Sequence, residues 1–325
     1  STKPIAKELS LLLNQSVFFF PDCIGDGVQE KVLSIGDGEV VLLENLRFYK
    51  EEQEGDVSFS KKLASLADIY VGDAFGVSHR AHASNSIVPA FFKNKRFMGF
   101  LMEKELESLY SITKNPLPPF TAIIGGVKVS DKIGVLLSIV DKIDNLIIGG
   151  AMAYTFVSYF KGSVGSSLVE KNQEKTIKDI CYAAKKNNVQ LILPIDSVNA
   201  KENSVSSPVC VSDIKNIPSG YMGLDIGEKS LSLFSKVISG SSTIMWNGPM
   251  GVFEKVAFEN GTRGVARAIV NATKSGSFSF VGGGDSISAL KKFDLFDDVS
   301  YVSTGGGAMF SYLQGMEMPG IKSLS

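Results

Sequence analysis

A short run of β-branched or aromatic residues, a glycine or acidic turn, then a stretch of helical periodicity: this succession recurs along the chain and restricts what it can become. The runs are Val17 to Phe20, Val40 to Leu43, Ile69 to Val71, Ala122 to Ile124, Leu146 to Ile148, Leu191 to Leu193, Thr243 to Trp246, Phe278 to Val281 and Tyr301 to Ser303. Strands that alternate with helices assemble into parallel sheets through right-handed crossovers, with helices over both faces. The expected class is α/β with doubly wound, Rossmann-like sheets. No solenoid-type repeat interrupts the pattern.

A chain of 325 residues exceeds what one hydrophobic core ordinarily organises, so two domains are expected. The turn-forming stretch Asn115-Pro116-Leu117-Pro118-Pro119 separates a helical segment around Met102 to Glu107 from the strand at Ala122. This gives residues 1–101 as a first domain, 102–117 as a bridging helix and linker, and 118–308 as a second. After Gly307 the alternation is expected to stop, with Met316 to Gly320 an extended tail and 309–325 returning to the first domain.

Hydrophobic residues make up 44% of the chain and charged residues 21%, a balance that supports a packed core rather than disorder. A formal net charge of -1 supplies no global field for nucleic acid or an anionic membrane, so any anionic ligand needs a local basic patch. Cys23, Cys181 and Cys210 are too few and scattered for a disulfide framework or a paired-cysteine zinc site, which suits a reducing cytoplasm. The most apolar stretch, Leu146 to Phe160, is too short and interrupted to span a bilayer and reads as a strand entering a helix.

Open parallel sheets bind ligands outside the carboxyl ends of their strands, where helix N-termini offer free N–H groups. Glycine turns recur there in the second half: Gly125-Gly126, Gly149-Gly150, Asn247-Gly248-Pro249, Gly282-Gly283-Gly284-Asp285 and Gly305-Gly306-Gly307. One such pair is an ordinary tight turn, whereas several in one domain suggest a phosphate-rich ligand approaching backbone. The P-loop and Gly-x-Gly-x-x-Gly signatures are both absent. Lys128 and Lys132 follow Gly126 and, on a helix, share a face near its start; they are phosphate ligands or solvated surface lysines. Asp285 is an N-cap or an oxygen ligand for Mg2+.

The wording then becomes specific. Gly125-Gly126-Val127-Lys128-Val129-Ser130-Asp131-Lys132, Met222-Gly223-Leu224-Asp225-Ile226-Gly227, Trp246-Asn247-Gly248-Pro249-Met250-Gly251-Val252-Phe253-Glu254, Gly282-Gly283-Gly284-Asp285-Ser286 and Ser303-Thr304-Gly305-Gly306-Gly307 occur in this order. Glu44-Asn45-Leu46-Arg47-Phe48, Asp73-Ala74-Phe75-Gly76 and His79-Arg80-Ala81-His82 precede them. Together they closely resemble phosphoglycerate kinase over essentially the whole chain. The resemblance implies two doubly wound domains facing across a cleft, the first incomplete, and reversible transfer of a phosphoryl group from 1,3-bisphosphoglycerate to MgADP, giving 3-phosphoglycerate and MgATP. It implies a cytoplasmic monomer of glycolysis whose partners are these small molecules.

Carried over by matching motif, the resemblance gives Lys128, Gly305 and Gly306 to the transition state. Nucleotide contacts fall to Gly126, Lys128, Lys132, Gly223, Leu224, Asn247, Glu254, Gly283, Gly284, Asp285 and Ser286, with Asp285 also serving Mg2+. Arg47 and Arg80 would grip the triose phosphate, as arginine's planar fork suits phosphate. His79 and His82, the two histidines, are expected to make structural hydrogen bonds rather than act as general bases. Ala151 stands where the family commonly has a third glycine, and Ser286 where threonine is frequent. The family's opening Val-Asp-Phe-Asn-x-Pro and Ser-His-Leu-Gly-Arg-Pro motifs have no counterpart. A polypeptide that truly began at Ser1 would be expected to lack central strands and turnover, whereas one with an opening segment upstream would keep the activity.

Overall fold

Every side chain of Phe120–Ile124 is buried, and so is every side chain of Thr243–Asn247. Strands apolar on both faces are stable only inside a sheet covered on both sides, and these two lie side by side and parallel at the centre of one. The computed structural model describes residues 1–325 and resolves into two units, Ser1–Lys104 with Met316–Ser325, and Glu105–Gly315.

In the first unit β1 (Val17–Phe20) pairs with β2 (Val40–Leu43), and β3 (Tyr70–Gly72) with β4 (Arg96–Met98), both in parallel. The first sequence run thus matches β1 and the second β2 residue for residue. A small core of Cys23, Phe59 and Ala83 lies under Leu43, Leu46 and Tyr49. The C-terminal segment is not simply extended. It forms a helix at Gly306–Leu313 and, after Met316 to Met318, a further helical turn at Pro319–Lys322. That turn packs on the first unit, where Gly320 N–H donates to the Ser78 carbonyl (2.9 Å) and Ser323 Oγ to the Asn85 carbonyl (2.9 Å).

The second unit carries β5 (Phe120–Ile124), β6 (Asn145–Ile148), β7 (Ser163–Val164), β8 (Gln190–Ile192), β9 (Asp196–Ala200), β10 (Val209–Asp213), β11 (Asn216–Ile217), β12 (Met222–Ile226), β13 (Thr243–Asn247), β14 (Phe278–Gly282) and β15 (Tyr301–Ser303). Six form an all-parallel sheet in the order β15-β14-β13-β5-β6-β8. Chain order runs outward from β5 on one side and from β13 on the other. The strand sequence therefore reverses between these two, and that is where a doubly wound sheet opens a crevice beyond its strand ends. Trp246, Phe234, Ile244 and Val265 anchor the core beneath.

A three-stranded antiparallel sheet, β10-β9-β12, was not legible in the pattern of strand and helix. It buries the polar side chains of Asp196, Ser197 and Asn199, held by hydrogen bonds in place of an apolar run, with Asn199 Nδ2 bonded and its Oδ1 left without a partner.

Candidate active site

The loops after β5, β6 and β13 are sewn together by main-chain hydrogen bonds. Gly125 N–H donates to the Asn247 carbonyl (2.9 Å), Gly126 N–H to Pro249 (3.0 Å) and Gly150 N–H to Met250 (3.2 Å). Such proximity leaves no room for side chains: a Cβ on Gly125 would meet the Pro249 carbonyl oxygen at 2.1 Å, and one on Gly150 the Gly126 nitrogen at 2.5 Å. These two glycines serve contacts between loops rather than access for a phosphate. Gly126, Gly284 and Gly306 face open space, but the Gly126 N–H is already given to Pro249, so Gly284 and Gly306 are the ones whose backbone has both room and a free side.

Lys132, Asn247, Asp285 and Ser286 converge on this platform. Lys132 Nζ donates to Asn247 Oδ1 and lies 4.7 Å from the centre of the Phe310 ring. Asn247 Nδ2 donates to the Gly282 carbonyl (2.7 Å), and Gly248 N–H to Ser286 Oγ (2.6 Å). Burial lowers the Lys132 pKa, while the Asp131 and Asp285 carboxylates pull it back up. A partly desolvated ammonium with fixed direction interacts more strongly with a phosphate than one free in water.

The shared helical face expected for Lys128 and Lys132 does not exist. Residues 125–132 form turns, the helix begins at Ile133, and Lys132 is its N-cap. The glycines locked to Pro249 hold this stretch non-helical. Lys128 is exposed and forms no ion pair. Asp285 is not an N-cap either: Gly283 (φ +93°) occupies that position, and Asp285 sits exposed in the first turn of Gly284–Lys292. Its charge complements the positive end of that helix and leaves its oxygens free. Gly305 N-caps Gly306–Leu313, the helix that also carries Phe310.

Beside the platform is a cavity of about 240 Å3 lined by Gly126, Ala151, Tyr154, Gly223, Leu224 and Val252, among others. Its walls are almost wholly apolar, and Gly223 packs against the Tyr154 ring, whose hydroxyl is engaged with Ser197 Oγ (2.8 Å). A planar heterocycle suits such a slot. Glu254 is exposed two residues beyond Val252. Gly223 and Leu224 were legible from their motif. Tyr154, Leu168 and Asn203 were not, as they come from an apolar helix and two segments without a pattern, and only the fold gathers them.

Behind Leu224 the Asp225 carboxylate is buried, accepting from Ile226 N–H (2.9 Å) and Gly261 N–H (2.7 Å). Burial raises its pKa from 3.8 to about 7, against the lowering effect of those two bonds; Glu259 adds repulsion, and the Tyr154 hydroxyl is the other titratable group nearby. Because the folded pKa exceeds the unfolded one, the native state holds this proton more tightly, and stability falls as pH rises from about 4 to about 7. Between pH 5 and 8 the wild type should lose about 3 kcal/mol relative to Asp225→Asn. Urea unfolding of both proteins at the two pH values checks this, and a gap independent of pH excludes the buried carboxyl as its source.

In the first unit Arg47 and Arg80 are exposed. Both lower the His82 pKa electrostatically, in addition to the larger effect of burial, so the two guanidinium groups lie in one neighbourhood. Asn85 shapes it: Nδ2 donates to the carbonyls of Val77 (2.8 Å) and Arg80 (3.1 Å), and Oδ1 accepts from His82 N–H (3.1 Å). Glu52, also buried, accepts from Ser84 N–H (2.9 Å) and Oγ (2.6 Å). His79 Nε2 accepts from Arg80 Nε at 3.3 Å.

Comparison with known proteins agrees across the chain. The phosphoglycerate kinase family profile matches residues 1–316. The chain is 48% identical to a phosphoglycerate kinase of Thermosipho africanus over its whole length and 81% of that protein, and 45% identical to one of Triticum aestivum named cytosolic, covering 80% of it. A solved phosphoglycerate kinase structure from Coxiella burnetii superposes with a TM-score of 0.89 at 39% identity, covering all of this chain and 80% of the other. One from Pyrococcus horikoshii gives 0.82 at 30%, covering 99% and 82%. With profile, sequence and fold in agreement, the chain belongs to the phosphoglycerate kinase family of phosphotransferases.

Proposed function

We propose that the second unit holds MgADP or MgATP on the β5–β13 platform, and that Arg47 and Arg80 of the first unit hold 3-phosphoglycerate or 1,3-bisphosphoglycerate. The reaction is reversible phosphoryl transfer between the acyl phosphate and ADP. The observation that carries this reading is the convergence of Lys132, Asn247 and Ser286 at the point where strand order reverses, next to an apolar slot.

The base lies in the slot against Gly223 and Leu224, with Glu254 accepting from the ribose hydroxyls. The phosphates meet Lys132, Asn247, Gly126 and the N-terminal amides of the helix at Gly284, with Gly283 and Ser286 closing the site. Lys128, on its unpaired side chain, follows the phosphoryl group in flight, and Gly305 and Gly306 offer amides to its oxygens. Little covalent chemistry falls to the protein in such a transfer; alignment and charge neutralisation do the work.

Asp285 fits a Mg2+ shared with the nucleotide. Its carboxylate is exposed at the platform and makes no ion pair, and no group of three or more acidic, histidine or cysteine side chains forms a cage of its own. A cation held chiefly by phosphate oxygens and water needs one such protein ligand. When bound, Mg2+ would neutralise charge on the phosphates.

The three cysteines are free and no helix is long and apolar enough to cross a membrane. We take the setting to be a reducing cytosol and the working form a monomer that engages no nucleic acid.

A coupled assay with 3-phosphoglycerate and MgATP tests the activity, and titration with ADP against NAD tests the ligand; tighter binding of NAD overturns the proposal. Arg47→Ala and Arg80→Ala should each raise KM for 3-phosphoglycerate about tenfold or more and leave KM for MgATP unchanged, as a charged hydrogen-bond partner is lost on one substrate only. Unchanged kinetics in both variants remove the assignment.

A further inference from the structure

Both walls of the apolar slot are fastened to the first turn of one helix, Asn260–Lys274. On one side Thr262 Oγ1 accepts from Met250 N–H (3.0 Å) and Gly251 N–H (3.2 Å), two successive amides of the loop that lines the cavity. On the other, the neighbouring Gly261 N–H donates to the Asp225 carboxylate, and Asp225 directly follows the lining residues Gly223 and Leu224. A further main-chain bond, Val252 N–H to the Leu224 carbonyl (2.8 Å), joins the walls.

Thr262 has no exposed surface. Without its oxygen, neither the Met250 nor the Gly251 amide has another acceptor in the structure, and a buried amide left unpaired moves to find one. A shift of this loop alters its distance from Leu224, which lines the same cavity. That distance sets how closely a planar ring is gripped.

We infer that Thr262 is a positioning residue for the nucleotide base, acting through the main chain of Met250 and Gly251 without touching the ligand. This rests on the base occupying the slot. Its effect falls on the base end of the nucleotide rather than on the phosphates, because its bonds are to Met250 and Gly251 and it has none to Lys132, Asn247, Asp285 or Ser286.

Thr262→Val preserves shape and removes the acceptor, and Thr262→Ser keeps it. Steady-state kinetics in the direction of 3-phosphoglycerate phosphorylation should show KM for MgATP raised about tenfold in the valine variant, with KM for 3-phosphoglycerate unchanged and kcat within about twofold. The serine variant should restore KM for MgATP. Equal increases in both KM values, a fall in kcat alone, or failure of serine to rescue would each overturn the inference, since a merely structural role predicts one of those.

Gly223→Ala separates the inference from the reading beneath it. An added methyl there projects against Tyr154 at the slot. If KM for MgATP is unmoved by Gly223→Ala, the base does not lie in the slot and the underlying assignment fails. If Gly223→Ala raises it and Thr262→Val does not, only the role of Thr262 fails.

Discussion

Lys128→Ala is expected to lower kcat by about two to three orders of magnitude while MgADP still binds, the loss typical when one preorganised donor to a transition state is removed. The split follows from the environments of the two lysines. Lys132 is partly buried, bonded to Asn247 and set against Phe310, a fixed setting that suits the binding role proposed for it. Lys128 is exposed, unpaired and unconstrained by neighbours, so it adds little to ground-state affinity and is free to follow charge as it moves. Calorimetric titration with MgADP beside steady-state kinetics checks this. A large rise in Kd with kcat preserved would reverse the roles of the two lysines.

Gly125→Ala should cost about 3 kcal/mol of stability or more, the upper range for forcing a methyl into a packed interior. The obstacles are the carbonyl oxygens of Pro249 and Gly248 at 2.1 and 2.6 Å from the added carbon, and main chain cannot rotate away as a side chain does. Relief requires parting the loops after β5 and β13, which breaks the bond from Gly125 N–H to Asn247. Gly284→Ala is the informative contrast. Its new methyl meets nothing within 4 Å, and alanine suits a first helical turn better than glycine, so stability should hold or rise while affinity for MgADP falls. Trp246, the single tryptophan and fully buried, reports unfolding of this unit by fluorescence. Equal stability losses in the two variants would contradict this division of labour among the glycines.

That division also marks the limit of sequence reading. Glycines at successive strand ends look alike as letters, yet Gly125 and Gly150 are demanded by neighbouring main chain and Gly126 and Gly284 are not. The parallel sheet was legible because β5, β6, β13 and β14 are apolar on both faces, a pattern with few other outcomes. The antiparallel β9, β10 and β12 were harder: Asp196 and Asn199 are buried there through hydrogen bonds, which periodicity does not register. Arg47 and Arg80 stood out by motif. Asn85, which wraps the backbone around Arg80, did not, since a buried asparagine declares itself only through its three partners. Thr262 was silent for the same reason.

The adjacency of β5 and β13 carries a consequence for synthesis. Thr121 and Ser241, whose hydroxyls meet at 2.7 Å across this junction, are 120 positions apart. Closing so long an interval is slow compared with forming local helices. A ribosome that has released β5, β6 and β8 has made half a sheet with an open central edge. Until β13 docks and Ser286 arrives to hold Gly248, the platform proposed for nucleotide is incomplete, and the uncovered edge of β5 is the stretch most open to pairing with the wrong strand.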